Sequence, residues 1–307
     1  MKALFLLNPA AGHGRTESRW RQVAARLPKE RPGDVVRTTC GPGDAARLAR
    51  EGLEEGFAAI IAVGGDGTLG EVVDGYLSAP AELRTTAALG TWPVGSGCDF
   101  ARHWGIKPNA ETLLAALATP TIRRLDAGKV TYTDAGGKGR TRHFLNMAAF
   151  GLAGDVAMRA QAHGKLWGGT LSYMFDSLAA LLMARPKTMD LVIDGERLPR
   201  AGFHLVTLAN TSTFGGGMHI APDADAEDGF LDLVTVADLP RLKLLRRFPS
   251  IYSGNHLGTE GVECRRVRRV EASSQEVVHL NVDGDIVGTL PAVFEVLPKA
   301  VSFLLPA

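Results

Sequence analysis

Cysteine is scarce in this chain of 307 residues, and the three present, Cys40, Cys98 and Cys264, lie far apart with no CxxC pair. That spacing excludes a disulfide framework or a structural zinc site and fits a reducing, cytoplasmic compartment. Excess charge is missing too: 34 Lys and Arg against 33 Asp and Glu leave a formal net charge of +1. With no global field, nucleic acid is not expected as a partner, and any contact with an anionic membrane must use a local patch. Long hydrophobic runs are absent. The apolar start ends after Leu7 in Asn8-Pro9 and lacks a charged flank, which argues against a signal peptide. Leu171 to Ala184 comes nearest to the roughly 20 apolar residues of a spanning helix, and Asp176 interrupts it; a soluble protein is expected. Three nucleotide signatures are missing as well: GxxxxGK[ST], the protein-kinase HRD and DFG triplets, and GxGxxG after the first strand. A standard dinucleotide oxidoreductase is therefore disfavoured.

Glycine, by contrast, is abundant at 36 residues and clustered, as at loops where a backbone must approach a ligand. The first 125 or so residues alternate apolar runs with helical patterns. Strands are expected at Ala3 to Leu7, Val35 to Thr39, Ala58 to Val63 and Ala87 to Leu89. Helices are expected at Arg15 to Leu27, from Asp44 to about Gly52, at Leu69 to Leu77 and at Ala110 to Ala118. Alternation of this kind implies parallel pairing with ligands at the carboxyl ends of the strands. Beyond Leu125 short strand-like runs dominate: Asp126 to Tyr132, His143 to Ala149, Asp190 to Ile193, Phe203 to Ala209, Leu231 to Val236, Val277 to Val282 and Val293 to Leu297. Asp-Gly and Gly-Gly turns separate them, and one helical stretch runs from Gly169 to Ala184. The fold class read from this is α/β plus β: a Rossmann-like parallel-sheet domain over 1–125, then an antiparallel β-sandwich over 126–307. Whether the last residues return to the first domain is left open.

Gly64-Gly65-Asp66-Gly67-Thr68 follows the fully apolar third strand and opens a helix, where unpaired N–H groups and the helix dipole favour phosphate. An acid in such a loop suggests Mg²⁺-dependent phosphoryl transfer, because Asp66 would repel phosphate without a cation or a mobile proton. The plain alternative is a tight turn with Asp66 as a cap. A second glycine loop, Pro93 to Arg102, also follows a strand, and the turn Asn8 to Gly12 would form a third wall. Asp225, Glu227 and Asp228 make a compact acidic turn that suits a hard cation or, as simply, a solvated hairpin. His13, His103 and His163 have no metal-ligand spacing.

Taken together, these segments resemble the diacylglycerol kinase catalytic-domain family, which includes bacterial lipid kinases and the sphingosine and ceramide kinases. Its Asn-Pro turn, GGDGT loop and GTxNDFAR-like loop match Asn8-Pro9, Gly64 to Thr68 and Gly95 to Arg102. Later, NMAAFGLAGD from Asn146 to Asp155, Gly215-Gly216-Gly217, Ala221-Pro222 through Asp228-Gly229, and Asp283-Gly284-Asp285 are similar to further family segments in the same order. The resemblance implies an ATP-dependent lipid kinase with the nucleotide between the two domains. ATP contacts would come from Asn8, Pro9, Ala10, Ala11, Gly12, Thr39, Gly64, Gly65, Asp66, Gly67, Thr68, Leu69, Gly70 and Ser96. Asp285 aligns with the acid that accepts the substrate hydroxyl's proton, with Asp283 beside it and Asp66 as the next candidate. Mg²⁺ would be held by Asp228, with backbone oxygens at Asp225 and Phe230.

The chain departs from the pattern at Gly70 and Cys98, where the family usually has Asn, and these losses bear on activity and on how the nucleotide sits. The implied partner is a lipid substrate at a membrane surface, reached peripherally from the cytoplasm; the oligomeric state is open, a homodimer included. Two basic segments, Leu239 to Phe248 and Cys264 to Val270, read either as headgroup contacts or as a packed helix and an edge strand with solvated charges. Rival functions are a soluble-substrate kinase of the NAD kinase type and a catalytically weakened nucleotide- or lipid-binding regulator.

Overall fold

Four parallel strands, β1 (Ala3–Leu7), β2 (Val35–Thr38), β3 (Ala59–Gly64) and β4 (Ala88–Pro93), lie in the order β2-β1-β3-β4. Every residue of β1, β3 and β4 is buried. Runs this apolar need a cover on both faces, and helices supply it. The computed structural model describes residues 1–95, 97–134, 136–154 and 185–305. They divide into two compact units, Met1–Leu125 with Lys299–Ala307, and Asp126–Pro298.

In the first unit, Phe5, Ile61, Val63 and Trp92 pack against Trp20 and Val23 of α1 (Thr16–Ala24). The Trp20 ring lies 5.0 Å from Phe5 and 5.8 Å from Trp92. On the other face α2 (Asp44–Glu54) covers β1, and α3 (Asp66–Ser78) packs on α2. That helix pair is close because Gly75 has no side chain: a Cβ there would stand 2.2 Å from the Ala46 carbonyl oxygen. After β4 come α4 (Asp99–His103) and α5 (Ala110–Ala118), and Leu114 and Leu117 of α5 complete the first core. From β1 the chain moves outward to β2, then returns to the other side of β1 as β3. The order in which strands are added reverses between β1 and β3, where open α/β sheets bind ligands.

The second unit is antiparallel. Its strands are β5 (Thr121–Thr133), β6 (Gly139–Phe144), β7 (Met147–Gly151), β8 (Lys187–Ile193), β9 (Ala201–Ala209) and β10 (Leu231–Ala237). After α6 (Arg241–Arg247) follow β11 (Val262–Val267), β12 (Arg269–Ser273), β13 (His279–Val282) and β14 (Asp285–Leu305). The pairings run β11-β10-β9-β7-β13-β14, with β8 joining β9 to β12 and β12 joining β14. Ala148, Phe150, Val206, Leu208 and Phe294 point into the main core of this unit. Met147, Ala149, Leu205 and Val234 face a second cluster on the reverse side. A sheet covered on both sides explains why β9 reads as a continuous apolar run rather than an alternation.

The strand expected over His143 to Ala149 is two strands, broken at Leu145-Asn146, where the main chain bonds to Asp283 instead of a neighbouring strand. The run Val293 to Leu297 is part of one long strand, β14, whose residues from Lys299 on belong to the first unit, where Phe303 pairs in parallel with Leu89. Pro291 and Pro298 disguised that continuity, since proline normally ends a strand reading. The helix expected from Gly169 to Ala184, together with His163, lies outside the described residues.

Candidate functional site

All four parallel strands of the first unit end at the same edge, so the loops after them are neighbours. Asn8 ties two of these loops together: Nδ2 donates to Thr68 Oγ1 at 2.9 Å, and Oδ1 accepts the Ala10 N–H at 3.0 Å. Thr39 is buried, and its N–H donates to the Leu7 carbonyl. The Pro9 to Gly12 turn leads straight into a short helical turn, Ala11–Gly14. The two glycine loops touch backbone to backbone, since a Cβ on Gly95 would stand 2.9 Å from the Gly65 Cα. Gly64 is equally constrained, because a Cβ there would meet Thr68 Oγ1 at 2.4 Å. Gly67 opens α3; Leu69 and Gly70 are buried in its second turn, and the Leu69 side chain is part of the core, so only its main chain is available to a ligand.

Asp66 reaches into the second glycine loop. Its carboxylate accepts the N–H groups of Asp99, at 3.1 Å, and Phe100, at 3.3 Å. These N–H groups stand at the start of α4, where a helix offers them no acceptor of its own, so Asp66 caps a helix other than its own. Ser96, in the same loop, lies outside the described residues. Cys98 adopts a left-handed conformation at the α4 cap (φ 49°). Burial, reinforced by the Asp66 carboxylate, pushes its thiol up to about 12, which makes it a poor nucleophile. Sequence reasoning missed Glu71, whose carboxylate accepts the N–H groups of Gly43 and Ala45 and so fixes the start of α2. Its signal was an acid on the α3 face one turn beyond Gly67.

In the second unit Asp283 and Asp285 separate clearly. The Asp283 carboxylate accepts three main-chain N–H groups, from Leu145 at 3.0 Å, Asn146 at 3.1 Å and Met147 at 2.9 Å. Asn146 is itself buried and accepts the Thr211 hydroxyl at 2.9 Å. Asp285 has no such cradle. Its side chain is half exposed, with the Arg142 guanidinium 3.4 Å from Oδ2. Burial by the surrounding protein raises its pKa above the ordinary carboxylate value, and Arg142 pulls it down by less.

The acidic turn is built on Asp126, which is fully buried and accepts the Gly229 N–H at 2.6 Å. Asp225 is exposed, and its carboxylate accepts the Glu227 N–H of its own turn. Asp228 Oδ1 accepts the Phe230 N–H at 2.9 Å. Asp228 Oδ2 is buried with no hydrogen bond, although the Arg266 guanidinium lies 3.2 Å away. Burial, then the Asp228 charge, raises neighbouring Asp232 to about 6. No cluster of three or more metal-binding side chains occurs among the described residues, so a cation here would rely on main-chain oxygens.

The basic segment Cys264 to Val270 is largely engaged within the protein: Arg266 with Asp228, Arg268 over the Phe230 ring at 4.5 Å, and Arg269 with Glu295 at 2.7 Å. On α6, Leu242 is 61% exposed, while Leu244 is buried.

Residues 2–130 match the model of the diacylglycerol kinase catalytic domain, and residues 146–305 match the YegS C-terminal NAD kinase beta sandwich-like domain. A diacylglycerol kinase of Mycobacterium tuberculosis is 32% identical over 308 residues, covering 99% of this chain and 95% of its own. A crystal structure of a diacylglycerol kinase from Bacillus anthracis superposes with a TM-score of 0.75 at 22% identity, covering 99% of this chain and 96% of its own. Yeast NADH kinase shares the fold more distantly, with a TM-score of 0.55 at 12% identity over all of this chain and 83% of its own. Matched in both halves and related along its whole length, the chain belongs to the diacylglycerol kinase catalytic-domain family.

Proposed function

We propose that this protein transfers the γ-phosphate of ATP to a hydroxyl of a diacylglycerol-like or sphingoid lipid. The lipid half of this reading rests on an apolar cavity of about 110 Å³ on the reverse face of the second unit's sheet, with Leu205, Phe214, Met218, Val236, Leu244 and Phe248 in its lining. A dinucleotide acceptor needs many hydrogen bonds and charge partners, whereas an alkyl chain gains by leaving water for such a lining. The first unit is read as a Rossmann-like nucleotide domain. Its β1–β3 reversal and the N-terminus of α3 favour the ATP phosphates at Asn8 and the Gly64–Thr68 loop.

In the reaction the lipid hydroxyl oxygen bonds to the γ-phosphorus, and the bond from that phosphorus to the bridging oxygen of ADP breaks. The hydroxyl proton passes to Asp285. A carboxylate with a raised pKa and no cradle of N–H donors suits that task. Asp283, held by three N–H groups, is read as the strut that positions the Asp285 turn. A transfer assay with diacylglycerol, a sphingoid base and NAD as acceptors tests the reading. Phosphate appearing on NAD alone would replace it with an NAD-kinase-type activity, and tight ATP binding without transfer to any acceptor would indicate a regulator.

A Mg²⁺ site at the acidic turn is supported by Asp228 Oδ2, which is buried without a hydrogen bond and has only the Arg266 guanidinium beside it; main-chain carbonyls at Asp225 and Phe230 would join it in an oxygen-only donor set. There the ion would neutralise Asp228 and Asp232, a structural contribution. Asp228→Ala is expected to abolish the rise in melting temperature that Mg²⁺ gives over chelator; an unchanged rise would remove this site.

Peripheral membrane contact is proposed through α6, with exposed Leu242 among Arg241, Lys243 and Arg246. No helix among the described residues is long and apolar enough to cross a membrane. Leu242→Asp should weaken sedimentation with anionic vesicles on the order of tenfold, the equivalent of losing one buried leucine. Equal sedimentation of variant and parent would rule out α6 as the contact.

A further inference from the structure

Two cations of the β5–β6 hairpin have close carboxylate partners. Arg140 meets Asp134 at 2.8 Å across the hairpin turn, and Lys129 meets Glu295 at 3.1 Å. Arg142 on β6 is placed differently. Its guanidinium reaches the Asp283–Asp285 turn, 143 residues on in sequence, and stands 3.4 Å from Asp285 Oδ2. The Arg142 side chain is 19% exposed and that of Asp285 50%, so both are open to solvent. Among the described residues Asp285 Oδ1 has no hydrogen bond, which leaves that oxygen for an approaching hydroxyl. Two ionisable groups stand near Asp285. Asp283, in the same turn, is directed to its three N–H donors, and Arg142 is the charge that acts on Asp285.

In the transfer described above, Asp285 begins ionised and ends neutral, having taken the hydroxyl proton. Arg142 would then face an uncharged acid and lose its counterion. At the same step the phosphoryl group, which carries close to two negative charges as a monoester, becomes bonded to the oxygen that gave up the proton. A hydroxyl gives its proton from about 2.6–3.2 Å, and phosphorus lies one bond beyond that oxygen. The phosphate oxygens therefore come within reach of a guanidinium already beside the same carboxylate. Carboxylate and phosphate suit the guanidinium fork equally well.

We propose that Arg142 is a catalytic residue that changes partner during transfer, pairing with Asp285 before it and with the phosphate on the lipid after it. This rests on the lipid-kinase reading with Asp285 as base, and it deepens that reading by naming what holds the phosphate of the product. Arg142 keeps its own protons throughout; the one proton that moves goes from the hydroxyl to Asp285.

The test compares the parent with Arg142→Met and Arg142→Lys. Dioctanoylglycerol and sphingosine serve as acceptors, and the phosphate ester of each as product. A part-exposed ion pair adds little to stability, so both variants are expected to fold. Inhibition by the ester should weaken roughly 10- to 100-fold in Arg142→Met, the loss of a hydrogen bond between charged groups. It should recover in part in Arg142→Lys, which keeps the charge without the fork. The KM values for ATP and for the unphosphorylated lipid should stay near those of the parent. The pH profile gives a second signature. Without the Arg142 charge the Asp285 pKa rises further, so the acid limb of kcat/KM moves to higher pH in Arg142→Met and back toward the parent in Arg142→Lys. Where Arg142→Met turns over too slowly for inhibition to be read, calorimetric binding of the ester makes the same comparison. Equal affinity of parent and Arg142→Met for the ester overturns the inference. So does a loss confined to ATP, which would place Arg142 on the nucleotide instead. If the parent phosphorylates neither lipid, the lipid-kinase reading itself fails, and the inference falls with it.

Discussion

Asp285→Asn is expected to lower kcat by roughly 10²–10⁴-fold, the usual contribution of a general base, while leaving ATP affinity nearly unchanged. The amide keeps the size of the side chain and its place beside Arg142, but it cannot accept a proton. A pH profile adds a second signature. Because burial holds the Asp285 pKa above that of an ordinary carboxylate, the ionised, proton-accepting form disappears as pH falls through that raised value. The parent enzyme should therefore lose kcat/KM on the acid side, and the variant should lack that limb. Asp283→Asn is the control. It weakens the anchorage of three main-chain N–H groups, so its first effect is on stability, about 2 kcal/mol for weakened bonds to a charged acceptor. If Asp283→Asn instead removes the rate and Asp285→Asn does not, the two roles are exchanged.

Asp66→Ala should reduce transfer below detection and still give a folded protein. The carboxylate holds the N–H groups of Asp99 and Phe100, so without it the second glycine loop loses the contact that sets it beside Gly65. The first loop also loses its only fixed charge. Asp66→Asn separates these effects, because an amide oxygen can still cap α4 while the charge is gone. Activity retained by the Asn variant and lost by the Ala variant would make Asp66 a positioning residue. Loss in both would mean that the charge itself is used near the phosphates. Full activity in purified Asp66→Ala would sink the assignment of this loop to the nucleotide.

The loops were legible because their chemistry is local. Gly64 to Thr68 after an unbroken apolar strand reads as a phosphate loop from backbone requirements alone, and close contacts explain Gly64, where a Cβ would meet Thr68, and Gly95, where a Cβ would meet Gly65. The β1 and β3 strands were equally readable, since burial on both faces leaves a continuous apolar run. Reading became harder where strands contain proline or where pairing partners are remote. Residues 145 and 146 break a strand only because Asp283, far along the chain, takes their N–H groups. Arg266, Arg268 and Arg269 read as a free basic patch until the cross-strand neighbours Asp228, Phe230 and Glu295 are in place.

The family thus followed from residue order, because its glycine loops and its late pair of aspartates are each encoded in a few adjacent positions. The division of labour within the pair did not. Asp283 and Asp285 are chemically identical, and which one is cradled by N–H donors depends on a β6–β7 turn more than 130 residues away in sequence (|i−j| 136 to 138). The same holds for Asp66, whose carboxylate takes its N–H donors from the next loop. A carboxylate or an imidazole takes its role from the donors and acceptors that surround it, and folding alone chooses those neighbours.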